Sequence, residues 1–422
     1  MTTVPQITCT QRRLKLACLY IATYIMNVSD FFMAELGIRW SIAVKADVLM
    51  VLPKDKERKK SRRDYREKKT KHIIVPDTID FVEKRKLCEE ETVDRGSDLC
   101  MYIVTWNMNG KVACHDLVKL LGRKRENFDF YVVGLQEAPH GDIASLIQKA
   151  LGHDYSKVSI AIIQSLQLYI FGKKYWDPLI RDVRVDKIRS GGLGGVVRRQ
   201  KGAVAISFHF IHASFIFISC HLAPHENNVE ERNSQYQRIS QTIFSDSQKR
   251  MQINPLGFPK KETKVITPTS LETSDMVVWL GDLNYRVEGS RKSVAFLINQ
   301  NLQQLQAKDQ LSREAKKGEI FHGFCEGPLS FRPTYKYDIG TDNYDTSAKR
   351  RVPSWTDRIL YKINSPAIMK AHVEEYDCIE SIKGSDHRPV KVHLYIKFRR
   401  PLMHALNEQL SHTAYSLFKN CM

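Results

Sequence analysis

Three kinds of segment are missing from this 422-residue chain, and each absence removes a class of protein. No apolar stretch is long enough to cross a bilayer. The best candidate, 16–26, has eleven residues against the ~20 a spanning helix needs, and Asn27 and Asp30 stop its extension. Arg12, Arg13 and Lys15 precede it as in a signal segment, yet no small-residue cleavage site follows, so an amphipathic or partly buried helix is expected there. Cysteine pairing is the second absence. The nine cysteines are scattered, odd in number and never spaced CxxC, which argues against a disulfide framework or zinc site and for a reducing compartment. The third is a ready-made phosphate loop: no cysteine begins a CxxxxxR loop, and Gly191-Gly192-Leu193-Gly194-Gly195 is not followed by GK[ST]. Cys421, second from last, makes no prenylation box.

Positive charge is what the chain has in excess. Lys and Arg number 65 against 47 Asp and Glu, a net +18 that favours polyphosphates, anionic lipid surfaces or nucleic acid as partners. Eleven of these bases lie with four acids in 54–71, a run that suits a solvated linker. Near anionic lipid it would also add about 1 kcal/mol of attraction per basic side chain.

Strand ends carry the chemistry. Trp279-Leu280-Gly281-Asp282-Leu283-Asn284-Tyr285-Arg286 follows the apolar run 276–280, so Asp282 and Asn284 lie where a buried strand opens into a loop. Two apart in extended chain, they point the same way. A carboxylate there can hold or deprotonate water, and a carboxamide can donate to oxygens that gain charge in a transition state. The same residues also suit a strand ending in an Asx turn. Thr105-Trp106-Asn107-Met108-Asn109-Gly110 closes a strand at 101–105, Leu135-Gln136-Glu137-Ala138-Pro139 closes 131–135, and Ser219-Cys220-His221-Leu222-Ala223-Pro224 closes 215–219. Ser385-Asp386-His387-Arg388-Pro389 precedes the alternating strand 390–396. Delivering polar side chains to the rim of a rigid sheet is how a scaffold positions chemistry. Asn109 suits a turn ahead of Gly110 equally well, and Cys220 suits burial. Helices are expected at 143–151, capped by Gly152, and at 292–305; 203–208 alternates as a strand, and one apolar stretch runs over 158–171. Strand-rich halves flanked by helices imply sheet packed on sheet.

With Phe331-Arg332-Pro333-Thr334-Tyr335-Lys336-Tyr337-Asp338, the block 344–351 and Pro353-Ser354-Trp355-Thr356-Asp357-Arg358-Ile359-Leu360, these motifs resemble the inositol polyphosphate 5-phosphatases of the endonuclease/exonuclease/phosphatase superfamily, compact plant-type members above all. The resemblance runs over about 99–399. It implies an α/β fold, a four-layer α/β/β/α sandwich (DNase I-like) of two mostly antiparallel sheets flanked by helices. The expected organisation is a basic, partly disordered region 1–97, a catalytic domain 98–400 and a tail 401–422.

The resemblance also implies Mg²⁺-dependent removal of the 5-phosphate from PtdIns(4,5)P2 and PtdIns(3,4,5)P3, or from soluble Ins(1,4,5)P3, by in-line attack of water. Glu137 would bind the metal, with Asn107 beside metal and phosphate and Asp386 approaching it. Asp282 would activate water, Asn284 steady the phosphoryl oxygens, and His221 and His387 face the phosphate, with Asp357 holding His387. Tyr335, Lys336, Lys349 and Arg351 would grip the neighbouring 4-phosphate and Lys201 another, joined by Arg286 and Arg358. The implied partners are phosphoinositide headgroups and an anionic membrane surface, met by a cytoplasmic, peripherally bound monomer. Gln200 and Gln235 depart from the family's usual Asn and Asp. A nuclease of the same fold would show base-stacking aromatics, which are not evident, so no nucleic acid is expected. A catalytically dead membrane adaptor is the other alternative, and the presence of every expected catalytic side chain argues against it.

Overall fold

The computed structural model describes residues 98–111, 114–122, 128–189, 201–245 and 268–399. The expected N-terminal region 1–97, the glycine-rich loop with Gln200, and the tail 401–422 lie outside the described residues. In chain order the strands are β1 (Asp98–Asn107), β2 (Phe130–Gln136), β3 (Tyr155–Ile163), β4 (Leu166–Lys173), β5 (Ile180–Arg189), β6 (Gly202–Phe210), β7 (Ala213–His221), β8 (Met276–Asp282), β9 (Cys325–Glu326), β10 (Asp357–Ile363), β11 (Met369–Cys378) and β12 (Val390–Phe398). One sheet has the order β11-β12-β1-β2-β4-β3 and the other β5-β6-β7-β8-β10-β9. Pairing is antiparallel except at the centre of each sheet, where β1–β2 and β7–β8 run parallel.

The two sheets face each other closely. A Cβ at Gly134 on β2 would stand 2.7 Å from Leu280 Cδ1 on β8 and 2.9 Å from Ser219 Oγ, so a larger residue at this crossing would have to push those side chains aside. Phe130 stacks on Phe208 at 5.7 Å, and Gln136 Nε2 donates to Ser219 Oγ at 3.3 Å. Helices cover the outer faces. On the first sheet, α1 (Cys114–Leu120) and α2 (Ile143–Leu151) bury Leu117, Leu120, Ile143 and Ile147 against Tyr102, Val104, Tyr131 and Val133. On the second, α3 (Val229–Thr242) and α4 (Ser270–Thr273) bury Ile239 and Leu271 with Ile216, Ile218, Val277 and Trp279. The expected four layers are therefore present. Among the described residues no helix is long and apolar enough to cross a membrane.

Local expectations held in part. Helix α2 begins at the Asp142 cap and ends at Gly152, whose φ of 87° favours glycine. The helix expected at 292–305 is two, α5 (Arg291–Gln300) and α6 (Leu302–Gln306), because Asn301 is extended and its side chain accepts the Gln304 N–H. The stretch 158–171 is likewise two strands, β3 and β4, turned back at Gln164 with φ 49°. A last helix, α7 (Gln310–Lys316), starts at Asp309, which caps Ser312.

Candidate active site

The site is a consequence of strand direction. Parallel neighbours end at the same edge, and antiparallel neighbours begin there. The final rungs of the two parallel pairs are Asn107↔Gln136 and His221↔Asp282. Strand β10 starts opposite this edge with Asp357↔Asp282, and β12 starts with Val390↔Thr105, just after Ser385, Asp386 and His387. Polar residues at four strand ends and two strand starts thus gather along one rim.

Asp282 is the centre of that rim and only 2% exposed. Its Oδ2 accepts from Asn107 Nδ2 at 3.0 Å and lies 3.1 Å from His221 Nε2; Oδ1 accepts the Asn284 N–H at 3.1 Å. Lys201 Nζ also touches His221 Nε2. Asp357 Oδ2 accepts from His387 Nδ1 at 2.9 Å, Thr334 Oγ1 at 2.8 Å and Thr356 Oγ1 at 2.9 Å. With Nδ1 committed, Nε2 is the His387 nitrogen left for chemistry. Ser385 ties the loops together: its Oγ accepts the His387 N–H at 3.1 Å and donates to Asn107 O at 2.7 Å.

Electrostatics sorts these groups into roles. Burial opposes ionisation of Asp282, but His221 bonded to it, then His387 and Lys201, outweigh that and hold the carboxyl far below its ordinary range. His221 is depressed, by burial first and then by Lys201, which keeps its imidazole neutral beside Asp282. Burial also opposes a charged His387, yet Asp357 beside it raises the imidazole to about 10.

Among the described residues, ligand atoms of Asp282, Asp357 and His387 all lie within 4.8 Å of one another. This trio suits proton handling. A protonated imidazole bonded through Nδ1 to Asp357 has no lone pair for a metal. Hard oxygen donors stand beside it. Glu137 turns off β2 with φ 48° one residue past the last rung, and Asn107 Oδ1 accepts the Asn109 N–H at 3.1 Å, with a second lone pair to offer. One carboxylate, an amide oxygen and water form a set that fits a Mg²⁺-type cation.

Residues 104–393 match the model of endonuclease/exonuclease/phosphatase family 2. Over 324 residues the chain is 42% identical to the type IV inositol polyphosphate 5-phosphatase 11 of Arabidopsis thaliana, covering 76% of this chain and 89% of that protein. The chain belongs to the inositol polyphosphate 5-phosphatase family. It is also 32% identical to phosphatidylinositol 4,5-bisphosphate 5-phosphatase A of Mus musculus, over 70% of this chain and 30% of that longer protein. Among solved structures it is similar to the inositol polyphosphate 5-phosphatase domain of SPsynaptojanin, crystallised with inositol (1,4)-bisphosphate and a calcium ion: TM-score 0.58, 30% identity, 77% of this chain and 93% of that one. A likeness to Cimex nitrophorin, with TM-score 0.56 and 24% identity over 71% of this chain and 99% of that one, shows the fold alone.

In this 5-phosphatase-family chain the implied substrate-binding residues divide. Arg286, Tyr335 and Arg351 line one pocket with Pro224, His225 and Glu226. The Arg286 guanidinium lies 4.6 Å over the Tyr335 ring and donates to Asn284 O at 3.0 Å and to Asn284 Oδ1. Asn284 Nδ2 donates to Leu222 O at 3.1 Å, leaving its second N–H for a ligand. Lys336 pairs with Asp386 at 3.3 Å, and Lys349 is exposed on a turn away from the pocket lining. One assignment is overturned. Arg358 is fully buried, bound through Nε and Nη2 to Glu326 at 2.7 and 2.6 Å and through Nη1 to Asp309 at 2.9 Å. Side chains alternate along β10, so turning Asp357 to the site sends Arg358 to the opposite face, where no substrate reaches.

Three smaller readings are decided by the geometry. Asn109 is a turn residue with φ 49°. Cys220 is buried, its thiol pushed up by burial and its Sγ accepting from Trp279 Nε1. Gln235 Oε1 accepts the Ala223 N–H at 2.9 Å, so the departure from Asp keeps an acceptor for that loop. Sequence reasoning passed over Ser385, Arg232 and Gln310. A signal existed for Arg232, since Val229, Arg232, Tyr236 and Ile239 follow helical spacing and place the arginine on the inward stripe. Gln310 had none, because its partners are distant in sequence.

Proposed function

We propose that the chain is a Mg²⁺-dependent phosphomonoesterase that removes the 5-phosphate of PtdIns(4,5)P2 and PtdIns(3,4,5)P3, or of soluble Ins(1,4,5)P3, by in-line attack of water. The supporting observation is one rim on which an ionised Asp282, the Asp357–His387 pair and Glu137 meet, beside a pocket with two arginines. Asp282 orients the attacking water and accepts its proton, held in register by Asn107. Protonated His387 donates from Nε2 to the scissile phosphate, with Asp357 keeping its tautomer. The second N–H of Asn284 donates to a phosphoryl oxygen, while neutral His221 turns its one N–H on Asp282 and steadies that carboxylate beside the phosphate. Arg286, Tyr335 and Arg351, with Lys201 and Lys336 nearer the catalytic rim, take the phosphates that are not cleaved, and Lys349 would reach them only from the exposed turn outside the lining. Glu137 with Asn107 Oδ1 would hold Mg²⁺, which when bound neutralises charge on the transferring phosphoryl group.

Phosphate release from the three substrates with Mg²⁺ tests this reading. No release, together with cleavage of an abasic duplex, would hand the site to the nuclease alternative. Glu137→Gln is expected to raise the Mg²⁺ concentration needed for half-maximal rate about tenfold, measured by titration after chelation; an unchanged midpoint removes Glu137 from the metal. Asp357→Asn takes away the charge that raises His387, so its imidazole should fall back toward the ordinary ~6.5. Because the protonated form is the donor, the alkaline limb of kcat/KM should then move to lower pH by a unit or more, on the order of the shift lost. An unmoved limb rejects His387 as donor. A cytoplasmic monomer docking peripherally on anionic membrane completes the proposal, supported by the net charge of +18. Equal flotation with neutral and PtdIns(4,5)P2-containing vesicles would remove the membrane part.

A further inference from the structure

Beside the pocket lies a buried cation bonded only to neutral oxygens. Arg232 on α3 is fully buried. Its Nη1 donates to Ala223 O at 3.1 Å and His225 O at 2.6 Å, and its Nη2 to Glu226 O at 3.3 Å and Gln310 Oε1 at 2.8 Å. The guanidinium also sits 4.9 Å over the Tyr285 ring. Gln310, the first residue of α7, completes the junction from the other side. The same Oε1 accepts the Arg286 N–H at 3.0 Å, Nε2 donates to Glu226 O at 3.2 Å, and the Gln310 N–H donates to Arg286 O at 2.9 Å.

Two loops meet here. One leaves β7 after His221 and carries Ala223, His225 and Glu226; the other leaves β8 after Asp282 and carries Asn284 and Arg286. Both contribute to the lining of the pocket. A guanidinium is planar, always charged and presents its donors in a fixed fork, so it sets distances between carbonyls that a flexible side chain would not. Burying a cation without a bonded counter-ion is costly, so a purely structural filler would be apolar.

We propose that Arg232 and Gln310 are positioning residues. They fix the separation of the two loops and so place Arg286 against the phosphates that are not cleaved. What the pocket takes rests on the phosphomonoesterase reading; the joining of the loops does not.

The test uses the full chain with Gln310→Leu, Gln310→Glu and Arg232→Lys. Leucine keeps the bulk but removes both donor and acceptor, whereas glutamate keeps an oxygen for Arg232 and for the Arg286 N–H and loses only the N–H that Glu226 O accepts. Gln310→Leu should bind Ins(1,4)P2 about tenfold more weakly by calorimetry, the equivalent of one lost hydrogen bond or a little more. KM for Ins(1,4,5)P3 should rise by the same factor, with kcat within about twofold. Gln310→Glu, which keeps the Arg232 and Arg286 bonds but not the one to Glu226 O, should fall between wild type and the leucine variant on both readouts. Arg232→Lys, whose ammonium cannot span four acceptors, should reproduce the leucine result and decides the matter if the leucine variant does not fold. Wild-type-like binding by Gln310→Leu and Arg232→Lys overturns the proposal. So does a Gln310→Glu protein as weak as the leucine variant, a wild type that does not bind Ins(1,4)P2, or a kcat loss that merely tracks the unfolded fraction. If wild type binds but releases no phosphate, the enzymatic reading fails while the binding ratios still judge the positioning one.

Discussion

Asp282→Asn is expected to lower kcat about a thousandfold, within the range spanned by losing a positioned base, while the protein stays folded. The substitution is isosteric, and the asparagine oxygen can still accept from Asn107 Nδ2 and His221 Nε2. Its amide then meets the Asn284 N–H donor to donor, a local cost small beside the loss of the charge. KM should hold or fall, because a carboxylate close to the substrate phosphates repels them. Loss in kcat without loss in binding marks an interaction made only in the transition state. The sign of the pH effect is fixed as well. A carboxyl held far below its ordinary range is ionised throughout the working range, so the variant should scale the whole pH profile down and leave its acid limb in place. Steady-state kinetics on Ins(1,4,5)P3 beside a thermal melt checks both points. A folded variant within tenfold of wild type would end the assignment. A cellular effect that survives the substitution would instead favour the adaptor alternative.

Most of this rim was legible because its members share one signature, a polar residue where an apolar run stops. Asn107, His221 and Asp282 are the last residues of mostly buried strands, Glu137 follows another, and His387 precedes the alternating strand β12. Strand direction then does the rest, since ends of parallel strands and starts of antiparallel ones share an edge. What escaped the sequence depended on facing and on distance. The helix at 292–305 kept one apolar stripe across a break, because Val294, Leu297, Ile298 and Leu305 are buried on both sides of Asn301. Arg358 was assigned through the family resemblance of the block 353–360, although alternation along β10 already pointed it away. Gln310 lies 24 residues from Arg286 and 78 from Arg232, separations at which no local pattern reports contact.

Arg358→Met should lower the unfolding free energy by about 3–5 kcal/mol, the usual consequence of removing one partner from a buried ion cluster. Arg358 and Asp309 have fully buried side chains, and Glu326 keeps 15% exposure. Burial works against the guanidinium charge, but Asp309 and Glu326 outweigh it and hold the arginine firmly protonated. Without it, Glu326 retains only the Tyr376 hydroxyl among its cluster partners, and Asp309 is left with one oxygen already unbonded and the other on Ser312. Strand β9 is two residues long and pairs with β10 beside this cluster, so it has little else to resist its release. The Asp309 cap on Ser312 persists, which keeps α7 and Gln310 in place. Below its unfolding transition the variant should therefore turn over Ins(1,4,5)P3 with KM within about twofold of wild type. A phosphate-gripping arginine predicts the reverse, a raised KM at full stability, so urea denaturation and a KM measurement on the same preparation separate the two. A loss of stability under about 1 kcal/mol with a tenfold higher KM would return Arg358 to the substrate site.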